Sequence, residues 1–157
     1  MMKNILLLCL FALAICIVSC AKKESRNSSD PPTDDNPYLV FTEIPDPVFE
    51  QALIDLGFDD ELNGFIPIEN IENVTELVLN DMGLTDVTGI SEFTGLRNLS
   101  LNNNYLTFIN ISENFDLRVV HLVGNPFSCI GVNSTQLSNI PVGWQKDEDV
   151  SYALDCY

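Results

Sequence analysis

Few residues in this chain have chemistry to offer: five cysteines, a single histidine at His121, and 23 acidic side chains against 7 basic ones. Catalysis needs a nucleophile beside a base, paired carboxylates in a cleft, a ligand cluster or a phosphate-cradling loop. The sequence contains no GxSxG, HExxH, GxxxxGK[ST] or CxxC, and one histidine cannot make a His-pair metal site. The expectation is therefore a protein that is not an enzyme, with no cofactor and no resident metal.

One acidic stretch tests that expectation. Asp59, Glu61, Asn63 and Gly64 fall at positions 1, 3, 5 and 6 of an EF-hand loop, with Ile66 at position 8. The twelfth position holds Asn70 where a bidentate Glu is required, Glu69 comes one residue early, and no second helix follows. The stretch is read as an acidic turn between a helix and a strand, and Asp147-Glu148-Asp149 likewise as a solvated turn.

The cysteines depend on the start of the chain. Met1-Met2-Lys3 precedes an apolar run from Ile5 to Val18, which ends at Ser19-Cys20 and gives way to Ala21-Lys22-Lys23. A charged start, a short apolar core and a small-residue cleavage site make a secretory leader, and the run is shorter than the roughly 20 residues a membrane-spanning helix needs. Ile17-Val18-Ser19-Cys20 resembles the bacterial lipobox. That resemblance implies cleavage after residue 19, acylation of Cys20 and stable membrane attachment through two or three acyl chains. Cys9 and Cys16 then leave with the leader, and Cys129 with Cys156 remain. An exported pair is expected to form a disulfide, which on the chain-entropy estimate for a roughly 28-residue loop adds about 3 to 4 kcal/mol. A metal site is the rival, but two thiols and the distant His121 lack zinc-ligand spacing.

From Pro31 onward only Arg97, Arg118 and Lys146 oppose 21 acidic residues. Such a surface repels nucleic acid and anionic lipid headgroups. Residues 20–40 are polar and Pro-rich with almost nothing to bury, the composition of a disordered tether.

Beyond the tether the apolar pattern shows what must position any site. Asp46 is placed to cap a helix with Pro47 in its first turn; Phe49, Leu53 and Leu56 recur at helical spacing and Gly57 ends it. A repeat follows: VTELVLNDMGL from Val74, LRNLSLNNNYL from Leu96 and LRVVHLVGNPF from Leu117. Set over LxxLxLxxNxL, the apolar columns are Val74, Leu77, Leu79, Leu84; Leu96, Leu99, Leu101, Leu106; and Leu117, Val120, Leu122, Phe127. The Asn column holds Met82, Asn104 and Asn125. Each unit supplies one short strand with inward leucines and a corner at which Asn bonds a neighbouring unit's backbone. No unit buries its apolar edge alone, so the units must stack and be capped. Met82 cannot make those bonds and is expected to pack against the N-terminal helix.

The chain thus resembles secreted bacterial leucine-rich-repeat proteins of the internalin-like group. Residues 44–64 look like their helical N-terminal cap, TGISEFTGL at residues 88–96 is similar to their joints, and residues 125–156, with the Cys pair and Trp144, resemble their closing segment. The resemblance implies an α/β repeat solenoid, a right-handed coil of about three short repeats between a helical N-terminal cap and a disulfide-closed C-terminal cap. The expected divisions are a lipoprotein signal peptide (1–19), tether (20–40), N-terminal cap (41–73), repeats (74–132) and C-terminal cap (133–157).

Proteins of this kind usually bind through the concave strand face, whose residues here are Glu76, Val78, Asn80, Asn98, Ser100, Asn102, Val119, His121 and Val123. His121, the one His of the chain, sits mid-strand on that face as a candidate for pH-sensitive binding, although a solvated His is the commoner case. The expected function is binding of a protein, peptide or glycan by a lipid-anchored module at the outer membrane, facing the periplasm or the surface. The partner's identity is unknown, and a structural envelope protein without a specific ligand is the alternative.

Overall fold

The computed structural model describes residues 39–156. The leader, Cys20 and nearly all of the tether lie outside that span. The chain begins with β1 (Phe41–Glu43), which pairs antiparallel with β2 (Phe65–Pro67). Between them runs α1 (Pro47–Asp55). Asp46 caps it through bonds to the Val48 and Phe49 N–H groups, with proline at the first helical position. Phe49, Ala52 and Leu53 face the core, but Leu56 ends the helix and is half exposed, because the chain turns at Gly57 (φ 80°) before another apolar position can come round. A single turn of helix, α2 (Ile68–Ile71), leads into the repeats.

Each repeat contributes one strand: β3 (Glu76–Val78), β4 (Asn98–Ser100) and β5 (Val119–His121). They lie parallel in order, with Leu77, Leu99 and Val120 in register. The sheet does not stop at three strands. Within the segment expected only to cap, β7 (Gly143–Gln145) pairs with β5 and puts Trp144 in the Val120 column. Every leucine of the repeat columns is buried in one continuous core, so the architecture is a repeat fold built on a parallel sheet.

Opposite that sheet, β6 (Cys129–Gly131) pairs in parallel with β8 (Ser151–Ala153), and Asn110 bridges to Gly131 on the other side. The Cys129–Cys156 disulfide joins the two ends of this segment, with Cα atoms 5.9 Å apart. Between β6 and β7 lies α3 (Ser134–Ser138), opened by a capping box in which Asn133 and Gln136 exchange side-chain bonds with each other's backbone N–H. At the C-terminal end the Trp144 and Tyr152 rings pack 5.7 Å apart, with the Lys146 ammonium 5.6 Å from the Tyr152 ring centre.

Buried amides tie neighbouring repeats together. The Asn104 carboxamide accepts from the Met82 and Leu84 N–H groups and donates to the Leu79, Leu101 and Asn102 carbonyls. Asn125 does the same one repeat later, accepting from Leu106 and donating to Leu101 and Leu122. On the far side Asn114 donates to the Ile90 and Phe93 carbonyls, and Gln136 to those of Ile111 and Asn114. All four reach backwards along the chain. Met82 has no preceding parallel strand to reach, since β3 pairs only with β4 among the described residues, and its side chain is 41% exposed. Asp46 makes the join instead: its second carboxylate oxygen accepts from the Thr85 N–H (2.8 Å), the Thr85 hydroxyl (2.9 Å) and the Asp86 N–H (3.0 Å).

Candidate binding face

Side chains alternate across a strand, so the residues between the buried leucines share one face of the parallel sheet. Strand register arranges them in rows. Glu76, Asn98, Val119 and Gly143 form one; Val78, Ser100, His121 and Gln145 form the next. Asn80, Asn102 and Val123 continue past the strand ends. All nine residues expected on this face therefore lie together, and the fourth strand adds Gly143 and Gln145. Sequence reasoning missed those two because Trp144 follows Val120 by 24 residues, whereas the repeats are offset by 22 and 21.

The rows differ in what they leave free. Asn80 accepts from the Asn102 N–H (2.7 Å) and the Ser100 hydroxyl (2.8 Å), and Asn102 accepts from the Val123 N–H (2.9 Å). Their carbonyl oxygens thus hold the sheet together, while no hydrogen bond among the described residues uses their carboxamide nitrogens. Ser100 is almost buried. Val78 is 53% exposed and Val123 37%, with His121 and Val119 half-buried between them. Gly143 belongs to this surface by necessity, because a Cβ there would stand 2.8 Å from the Arg118 carbonyl and 3.3 Å from Val119 Cγ2. The result is an open surface with exposed apolar points at Val78 and Val123 and hydrogen-bonding groups around them. At about 4.8 Å per strand, four strands span roughly 14 Å.

The clefts among the described residues lie beside this face, one of them reaching its edge at Glu76. Two clefts of about 490 and 430 Å³ belong to the N-terminal cap region, and one of about 180 Å³ lies between residues 86–91 and 108–110. An open sheet face with no enclosing walls suits an extended or broad ligand better than a small molecule, which is normally engulfed.

The acidic turn is held from inside. Glu50, almost wholly buried on α1, accepts from the Asn63 N–H (2.7 Å) and the Gly64 N–H (2.5 Å), and Asn63 accepts from the Phe65 N–H (2.9 Å). Burial pushes the Asp59 carboxyl above its ordinary value, the Asp60 N–H bond opposes this, and the Glu50 charge adds to the rise. Among the described residues no group of three His, Cys, Asp or Glu side chains is placed to hold a metal ion, and no helix is long and apolar enough to cross a membrane.

No family model and no curated protein matches the chain. Among solved structures it is similar to an internalin from Listeria monocytogenes, at 22% identity and a TM-score of 0.49. The match covers 70% of this chain and 32% of the internalin, so the chain spans about a third of that protein's length.

Proposed function

We propose that the chain is an exported, lipid-anchored binding module: a short leucine-rich-repeat solenoid, held to the outer membrane through Cys20, that presents its concave sheet face to a protein, peptide or glycan at the cell envelope. The observation carrying this reading is the exposure of Val78 and Val123 on a face whose other members include Glu76, Val119, His121, Gln145 and the Asn80, Asn98 and Asn102 carboxamides. Apolar side chains left in water on a rigid, hydrogen-bonded surface favour a partner that covers them. Net charge of -16 argues against nucleic acid as that partner.

The second reading, a structural envelope protein without a specific ligand, is favoured by the internal use of Asn80, Ser100 and Asn102. Pull-down from envelope extract separates the two. A partner retained by the wild type and lost by the His121→Ala/Val123→Ser variant supports the module; an empty eluate from both favours the structural reading.

A further inference from the structure

The parallel sheet has a free edge at β3, which pairs with β4 on one side and, among the described residues, with no strand on the other. Along a parallel strand successive backbone groups point to alternate sides. Leu79 N–H bonds to the Ser100 carbonyl and Asp81 N–H to that of Asn102, so Leu77 and Leu79 face β4, and the N–H and C=O groups of Glu76 and Val78 face outward. Beside this edge runs the cleft of about 430 Å³, lined by Phe58, Asn70, Asn73, Val74, Thr75 and Glu76. The charge around it is mostly negative: residues 39–96 hold thirteen acidic side chains and no Lys, Arg or His, and the basic residue that follows, Arg97, bonds the Thr75 carbonyl through its N–H.

We infer that the β3 edge is a strand-addition site for an extended, lysine- or arginine-bearing segment of a partner protein. The inference rests on the reading of the chain as a binding module and supplies the docking mode. Backbone pairing with Glu76 and Val78 gives the affinity, the acidic surround selects cations, and Val78 with Phe58 offers apolar contact to alternate side chains of the guest. A second copy of this chain is the wrong guest, because pairing two β3 edges would bring like charges together at Glu76 and across the acidic surround. The added strand also enlarges a sheet face that is by itself small against the roughly 800 Å² per partner of a standard interface.

The test uses the full-length chain in mild detergent and three blocked pentapeptides: alternating Lys-Val, the same peptide N-methylated on alternate residues so that it keeps its charge but cannot pair, and alternating Glu-Val. Amide hydrogen exchange by NMR reads the edge directly. Saturating Lys-Val peptide is expected to slow exchange at Glu76 and Val78 by about tenfold or more, to leave Leu77 and Leu79 unchanged, and to bind at least about tenfold tighter than either control. Glu76→Lys should abolish that protection. Equal binding of the N-methylated peptide, or no protection at Glu76 and Val78, overturns the edge site. Either result alongside a partner still captured through His121 and Val123 leaves the module reading intact.

Discussion

Asp46 and Thr85, 39 residues apart in sequence, are joined twice: one oxygen of the Asp46 carboxylate accepts both the N–H and the hydroxyl of Thr85, while the other caps α1. One buried side chain thus starts the cap helix and fastens it to the first repeat. Burial alone would raise the Asp46 pKa, but the bonds from Thr85, Asp86 and Val48 outweigh it and hold the carboxyl below its ordinary value.

Replacing Asp46 by Ala should therefore cost more than an ordinary helix cap, about 2 to 3 kcal/mol in urea unfolding, since the Thr85 and Asp86 donors lose their acceptor as well. The sign with pH follows from the lowered pKa. The stability Asp46 contributes is complete above the unfolded carboxyl value of about 4 and is lost as pH falls through the lower folded value. Asp46→Asn should flatten that part of the acid limb.

Asp59 should behave oppositely. Its folded pKa is raised by burial against the bonds from the Asp60 and Glu61 N–H groups, so its ionised form is the unfavourable one and its contribution fades as pH rises through the folded value. Asp59→Asn should raise Tm at neutral pH and make no difference near pH 3. Thermal scans at the two pH values check both statements.

Asn104→Ala strips one fully buried side chain of five hydrogen bonds. A loss of about 3 kcal/mol or more is expected, because carbonyls and N–H groups of two repeats are left buried and unpaired. Asn80→Ala, in a half-exposed position where water can replace the carboxamide, should cost about 1 kcal/mol. Equal losses at the two sites would contradict the assignment of Asn104 as the inter-repeat tie.

Much of this was legible in the sequence. The leucine columns predict β3, β4 and β5 with their registers, Asp46-Pro47 marks the start of α1, and the Cys129 and Cys156 pair predicts the disulfide. Other features were not, for physical reasons. Strand β7 carries Trp144 where the repeat has Leu or Val, and its longer offset hides it from alignment. Asn114 and Gln136 do equivalent work with different residue types, so no column announces them. The second role of Asp46 depends on Thr85, which no local pattern links to a helix cap. Of the candidate face, its membership was legible, but the internal use of Asn80, Asn102 and Ser100 was not, because side-chain bonds between repeats depend on the exact stagger of the strands.

Reduction of the Cys129–Cys156 bond should loosen the β6–β8 sheet before the repeats. Closing this loop is worth roughly 3 kcal/mol by the chain-entropy estimate. Hydrogen exchange at Ile130 and Tyr152 should accelerate in the reduced protein, while that at Leu99 holds. Uniform acceleration across both sheets would mean that the disulfide holds the whole stack rather than its end.

The binding face itself is tested most directly by a photo-crosslinking amino acid placed, one position at a time, at Val78, Val123 and Phe115 of the chain in intact cells. Phe115 is the control: it is 70% exposed but lies outside the sheet. The account predicts that one and the same partner band forms from positions 78 and 123 and is absent from position 115. A band from Phe115 alone, or none from the two valines, would contradict it.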